Sequence, residues 1–257
     1  WFRQHRRQPL RLDARVYGTL ADLAVTRFDL QGWDARANLS GRLRHVTDME
    51  RLETDLNIAA IESTGAGIRK WLPPGTLPGY MELPNDVLLR GTVKGPLQRL
   101  SMQLEATTSR SAQPVAARLQ LAGELGNVMD PDRLYYDMGV DTIWLSRMEM
   151  NAYLPDSFPA YIELPEAVAL TGKLKGTMDT VFADLDLKAY RDTLISEVQL
   201  AGTVDSFTNI KVLAYDLKLN ELIVQPEEMA AYLPDSTLPH YLRLPLIEHG
   251  EGAFRGD

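Results

Sequence analysis

The residues best suited to proton transfer or metal binding in this chain of 257 residues are four histidines, His5, His45, His240 and His249. No two of them stand at the spacing of a metal-ligand pair, and none adjoins a carboxylate cluster, so they read as surface or turn residues. Asp184 and Asp186 lie two apart, which on a strand puts both carboxylates on one face. Leu185 and Leu187 then take the other face, so the two acids are expected to point outward into solvent rather than to work as an acid pair. Gly65-Ala66-Gly67-Ile68-Arg69-Lys70 has the composition of a phosphate loop without its spacing, and no Ser or Thr follows the lysine. It reads as the lead-in to a short helix. Cysteine is absent, which excludes thiol catalysis and a disulfide framework. The sequence therefore offers no catalytic residue, no metal ligand set and no cofactor site, and an enzyme is not expected.

What the sequence does offer is repetition. Leu83-Pro84-Asn85-Asp86-Val87-Leu88-Leu89-Arg90-Gly91-Thr92-Val93-Lys94-Gly95 returns as Leu164-Pro165-Glu166-Ala167-Val168-Ala169-Leu170-Thr171-Gly172-Lys173-Leu174-Lys175-Gly176, and again, degraded, from Leu244-Pro245 through Gly252 to Gly256. The prolines are 81 and 80 residues apart. A fixed period this long marks stacked supersecondary units, and such an array builds a continuous surface rather than one pocket. The divisions expected are 1–83, a partial first repeat with its helix and strap; 84–164, the second repeat; 165–244, the third; and 245–257, the start of a fourth. On this reading the chain is a section of a longer protein.

Within each unit, apolar residues alternate with polar ones. In the second repeat the alternation runs through Val87, Leu89, Gly91 and Val93; Leu100, Met102, Leu104 and Ala106; Val115 to Leu125 at every second position; and Leu134, Tyr136, Met138, Val140, Thr142 and Trp144. In the third it runs through Val168 to Leu174, Val181 to Leu187, Val198 to Val204, and Leu213, Tyr215, Leu217 and Leu219. The first keeps Ala35 to Leu43 and Leu52 to Ile58. Period two means strands with one apolar and one wet face, and the polar stretches between them (Thr107 to Gln113, Gly126 to Asp132) read as hairpin connections. Each repeat is thus an antiparallel meander of at least four strands, with a fifth short one in Tyr161-Ile162-Glu163-Leu164. Glycines paired on each first strand, Gly91 with Gly95, Gly172 with Gly176 and Gly252 with Gly256, mark bends or bulges that let the sheet curl.

A different kind of segment closes each meander. Gly67 to Pro74, Met148 to Pro155 and Glu227 to Pro234 read as short helices, the last started at Pro226 and stopped at Pro234. Gly41, Gly123 and Gly202 each lie 30 residues before Trp71, Tyr153 and Tyr232, the aromatics of these segments, which read as packing residues at the seam between units. Proline-rich straps with a recurring tyrosine (Tyr80, Tyr161, Tyr241) lead into the next unit. The fold expected is all-β dominated: an elongated, curled antiparallel sheet, taco-like in section, with a short helix and strap between repeats of about 80 residues.

An open sheet of this size must curl or close, and its apolar face must meet something. Either a second sheet covers it, as in a sandwich or barrel, or it forms a trough for an apolar ligand; aliphatic lining suits both. The candidate groove lining is Leu89, Val93, Met102, Leu104, Leu119, Leu121, Met138, Val140, Leu170, Leu174, Leu185, Leu187, Val198, Leu200, Leu213, Tyr215 and Leu217. The net charge of −8 argues against a nucleic-acid partner. No stretch approaches the ~18 apolar residues of a membrane span, and the basic N-terminus (Arg3, Arg6, Arg7, Arg11) lacks the apolar core of a signal peptide.

The Val-x-Leu-x-Gly-x-Val/Leu-x-Gly strand, the second glycine-centred strand and the Leu-Pro-Asp-Ser-x-Leu-Pro straps resemble the AsmA-like proteins, and most closely the TamB family, over essentially the whole chain. The resemblance implies a repeating β-groove in a periplasmic bridge. It implies an anchor in the inner membrane, outside this section, and an outer-membrane partner of the TamA type. It implies phospholipid as cargo, with acyl chains in the groove and headgroups in solvent, and it brings no catalytic residues. A role in outer-membrane protein assembly is also attached to that family. The alternatives that the residues leave open are a structural or interaction array with a closed core, and a sheet edge that pairs with partner strands.

Overall fold

The computed structural model describes residues 10–32, 34–71, 78–110, 113–155, 157–206, 212–226, 246–247 and 249–256. The helix over Glu227 to Pro234, the strap with Tyr241, the Leu244-Pro245 phrase, Tyr232, His5 and His240 lie outside the described residues. Strand accounts for 67% of the structure and helix for 8%, which makes the all-β class plain.

The chain divides into two units, Trp1–Leu134 and Tyr135–Asp257, with the division inside the second repeat. The first unit holds β1 (Arg11–Thr19), β2 (Asp22–Gly32), β3 (Ala35–Arg44), β4 (Glu53–Thr64), helix α1 (Gly65–Trp71), β5 (Asp86–Pro96), β6 (Arg99–Arg110) and β7 (Gln113–Gly126). The second holds β8 (Tyr135–Ser146), helix α2 (Arg147–Tyr153), β9 (Ala167–Thr177), β10 (Thr180–Arg191), β11 (Thr193–Asp205), β12 (Ala214–Val224) and β13 (Gly252–Gly256). Strand order is chain order from β1 to β13, the pairing is antiparallel, and the sheet is not closed. Short turns explain part of the topology: a strand joined to the next by one or two residues, as β5 is to β6 and β10 to β11, has only the antiparallel neighbour position within reach.

Several boundaries differ from the alternation. The turn expected over Thr107 to Gln113 is mostly strand, because β6 runs to Arg110 and β7 starts at Gln113. No strand forms in Tyr161 to Leu164, where Ile162 N–H closes a turn on the Pro159 carbonyl at 3.1 Å. Ahead of α1 stand four strands, where the alternation had marked two. Leu213 precedes β12, and Leu134 precedes β8.

Both helices start at a strand end on a side-chain cap. Thr64 Oγ1 accepts from Gly67 N–H at 3.0 Å, and Ser146 Oγ accepts from Glu149 N–H at 3.3 Å. These hydroxyls satisfy amides that a helix start would otherwise leave bare. Ser146 to Glu149 has the spacing of a capping box. In α2 the Tyr153 hydroxyl donates to the Glu149 carboxylate, and Glu149 is fully buried.

Candidate functional site

Directly opposed residues in an antiparallel pair point to the same face, so the register assigns every side chain. In the first unit one row runs Val16, Val25, Gly41, Leu56, Val93, Met102 and Gly123 across the strands. The next row runs Ala14, Phe28, Leu39, Ile58, Gly91, Leu104 and Leu121. A third adds Leu30, Ala37, Ile61, Leu89, Ala106 and Leu119. No charged residue interrupts these rows.

The second unit repeats the arrangement. Met138, Leu174, Ala183, Gly202 and Leu217 share one row. Val140, Gly172, Leu185, Leu200 and Leu219 share the next. Ile143, Leu170, Leu187, Val198 and Leu222 share the third. Tyr215 opposes Val204 on the same face. Every candidate lining residue therefore lies on the apolar face of its own unit except Leu213, which falls just outside a strand. Tyr136 also belongs to this face, opposite Gly176, and its burial pushes the phenol pKa up.

Within these rows strict alternation fails at four places. Val25 and Phe28, Ile58 and Ile61, Val140 and Ile143, and Leu219 and Leu222 are three apart, yet each pair stays on the apolar face across a bulge. One extra residue resets the phase of the strand beyond it. Consequently Thr142 and Trp144, expected on the apolar face, are replaced there by Ile143 and Leu145; Trp144 opposes Ala169 on the polar face.

Three of these bulges share one environment. Ile58 faces Gly91, Val140 faces Gly172 and Leu219 faces Gly252, each time where the last strand of one repeat meets the first strand of the next. A Cβ on Gly91 or Gly172 would stand 2.0 Å from a carbonyl oxygen of the following strand, and both glycines have φ near +140° (148° and 138°), which L side chains rarely adopt. Three residues away on the opposite face sits an ion pair between register partners: Asp55 with Lys94 at 3.3 Å, Asp137 with Lys175 at 3.1 Å and Asp216 with Arg255 at 3.1 Å. Bulge, glycine and ion pair recur together.

The second face is polar. Arg44 pairs with Glu53 at 3.1 Å and Arg99 with Glu124 at 2.8 Å, and Arg42 binds both carboxylate oxygens of Asp22 through Nε and Nη2. The hydrogen bond from Arg42 holds the Asp22 carboxyl below its ordinary value. Asp184 and Asp186 are on this face, opposite Ala201 and Gln199, as the alternation with Leu185 and Leu187 requires. Asp184 is exposed, while Asp186 joins a cluster: Lys188 bridges it at 3.2 Å to Glu197 at 3.4 Å. The hydrogen bond with Asp186 raises the lysine pKa. His45 lies in the turn after β3 with φ 56°, and His249 contacts Glu251 at 3.2 Å on the surface.

The apolar face is buried at some positions and half-buried at most others. Among the described residues the buried apolar set is nearly all small: Val25, Leu100, Val140 and six alanines. Ala189 and Ser196, which share the row nearest α2, are 3% and 7% exposed, whereas Leu187, two residues inward on the same face, is 36% exposed. In the first unit the start of α1 packs on the end of β4, where a Cβ on Gly67 would stand 2.6 Å from Ser63 Oγ. The middle rows are mostly half-buried: Val25, Val140 and Ala183 are buried, while Leu187 and Tyr215 are exposed.

Two arginines fix the straps, and the alternation did not single them out. Arg110 Nη2 donates to the Glu82 carbonyl at 2.6 Å and its Nη1 to the Leu83 carbonyl at 3.3 Å. Arg191, one period later, donates to the Glu163 carbonyl at 3.3 Å. Matching backbone bonds tie helix starts to strap ends: Gly65 N–H to Pro84 O at 3.0 Å and Arg147 N–H to Glu166 O at 2.7 Å. The 81-residue spacing of Arg110 and Arg191 was the available clue. Tyr80 and Tyr161 of the straps are exposed, and the Tyr153 hydroxyl is engaged with Glu149.

Among the described residues no three His, Asp or Glu side chains gather as a metal cluster, and no helix is long and apolar enough to cross a membrane. Comparison with known family models, characterised proteins and solved structures finds no match to this chain.

Proposed function

We propose that this chain is a section of a lipid conduit: a periplasmic bridge of the TamB type, tethered to the inner membrane by a segment outside this chain and meeting an outer-membrane partner of the TamA type. Acyl chains of phospholipid lie along the apolar rows, and no bond is made or broken. The observation that supports this reading is the apolar face, most of whose row residues are half-buried rather than buried. Three aliphatic rows run uninterrupted across each unit, a charged face backs them, and no second sheet covers them among the described residues. A closed-core scaffold needs that face buried, and the sheet is not closed.

The energetics favour sliding. Each methylene taken from water contributes ~0.8 kcal/mol. Rows of similar Leu, Val, Ile and Ala give each step of a chain nearly the same contact, so no position becomes a trap. The test is photo-crosslinking from single sites in cells, followed by lipid extraction. Crosslinkers at Leu121 and Leu200, on the apolar face, capture phospholipid; those at Asp184 and Asp186, on the other, do not. Equal labelling at both pairs rejects the proposal.

A further inference from the structure

We propose that the helix–strap segment after β8 carries a fixed station for the phosphate of an anionic amphiphile. The proposal rests on the conduit reading and adds to it a headgroup site. A cavity of about 540 Å³ lies between α2 and the strap that returns from it, within the second unit. Arg147, Asn151 and Leu154 line one side and Phe158, Ile162 and Glu163 the other. Arg147 and Asn151 are four residues apart and so share one side of the helix. Glu149 and Ala152, both buried, occupy the opposite side. The polar groups of the cavity are thus held by a helix whose other face is locked.

The chemistry of the lining is that of a phosphate ester with a hydrocarbon tail. Arg147 is half-buried, and its Nε donates to the Pro165 carbonyl at 3.2 Å, which fixes the plane of the guanidinium. Among the described residues its two Nη nitrogens have no partner, and they present the paired donors that a phosphate accepts. The Asn151 amide, exposed at the mouth, adds a further donor. The acid in the lining, Glu163, is paired with Arg191 at 3.7 Å, so its charge is offset. Leu154, Phe158 and Ile162 are half-buried around the same space and suit the first methylenes of a chain. A free inorganic anion has no use for those apolar walls.

Of the two described helix–strap segments, only this one has the station. One period earlier the place of Arg147 is taken by Gly65, and Arg69, at the place of Asn151, donates to the Met81 carbonyl. A site present on one helix and missing from the preceding one marks a stopping point, in contrast to the uniform rows.

The test titrates the whole chain with three probes, read by native mass spectrometry: dihexanoyl phosphatidic acid, dihexanoylglycerol and inorganic phosphate. The wild type prefers the phosphate-bearing amphiphile over the uncharged one about tenfold or more, the scale of a charge-assisted bidentate contact. Arg147→Gln abolishes that preference and leaves dihexanoylglycerol binding unchanged. Asn151→Asp, at an exposed position that does not threaten folding, weakens the phosphate-bearing amphiphile alone and decides the matter should Arg147→Gln not fold. Equal wild-type affinity for the two amphiphiles overturns the station and spares the conduit. So does a preference retained in both variants, or displacement by equimolar inorganic phosphate. Failure of the wild type to bind either amphiphile overturns both.

Discussion

An arginine placed in the middle of the apolar rows should stop transport without unfolding the sheet. Leu104 is suited to the test because Gly91 and Leu121 oppose it on its two neighbouring strands, all on the apolar face of one unit. Its side chain is half-buried, so losing it forfeits about half of a leucine's burial, roughly 1 kcal/mol. That is small against the typical ~5–15 kcal/mol of a domain. The new guanidinium has no route through the sheet to the polar face and must lie along the rows. There it displaces roughly four or five methylenes of a passing chain, ~3–4 kcal/mol at ~0.8 kcal/mol each. At ~1.4 kcal/mol per factor of ten, transfer past that point slows by roughly two to three orders of magnitude. The assay is transfer of a fluorescent phospholipid between two vesicle populations, with circular dichroism to confirm the fold. Gln103→Arg is the control, an equal charge one residue away on the opposite face, where Gln103 opposes Thr92 and Ala122. It should change transfer by less than about twofold, surface substitutions of this kind being close to neutral. Wild-type transfer by a folded Leu104→Arg protein, or equal harm from both substitutions, would refute the reasoning. Leu185, between Gly172 and Leu200, repeats the experiment in the second unit.

Other outcomes follow from the same geometry. Gly172→Ala forces a side chain into a φ of 138° and 2.0 Å from the Asp184 carbonyl, and should lower stability by at least ~1–3 kcal/mol in a thermal melt. The Asp55–Lys94 pair is exposed, so a double-mutant cycle with the charges exchanged should return a coupling of only ~0.2–1 kcal/mol that fades in high salt. Arg42 depresses the Asp22 carboxyl, so its stabilisation is complete above the ordinary value of 3.8 and is lost as pH falls through the lower folded value. NMR titration of Asp22 should show a midpoint that rises toward 3.8 in Arg42→Ala. Arg110→Ala removes the bonds to Glu82 and Leu83, and should speed hydrogen exchange in residues 78–85 while the strands keep their protection.

The sequence made the faces legible because a strand has one periodicity and little else competes with it. Leu119 and Leu121, Leu185 and Leu187, Val198 and Leu200 alternate with charged or polar neighbours, and the register puts them where the alternation says. The reading failed where the backbone departs from two residues per repeat. Past Val140 the bulge moves Ile143 into the place assigned to Thr142, and nothing in Val140-Asp141-Thr142-Ile143 announces an extra residue unless the glycine of the next strand is brought opposite it. Turn composition misled at Ser109 and Arg110, which are polar yet belong to β6: Ser109 pairs with Asp86 and Arg110 reaches the strap carbonyls, so neither fills an apolar row. Arg110 and Arg191 escaped for a related reason: their work is done on carbonyls far away in sequence, and only the long period connects them.

The seam between repeats then explains how a face stays continuous over so many strands. A bulge alone would tilt the strand and throw the side chains beyond it off the common rows. Facing it with glycine lets the two backbones approach, and the residue after the bulge falls back on the apolar side, as Ile61, Ile143 and Leu222 do. The ion pair three residues away fixes the same register from the polar side. Of these devices the glycine at Gly91 and Gly172 bears the greatest cost of replacement, since a carbonyl lies where its Cβ would go, whereas an exposed ion pair contributes little. If the arrangement exists to keep the rows aligned, Gly172→Ala should damage lipid transfer by more than its loss of stability predicts, while the charge-exchanged pair should leave transfer intact. A protein that needed only a stable sheet would lose stability and transfer in proportion. Transfer measured well below the melting temperature of each variant separates the two.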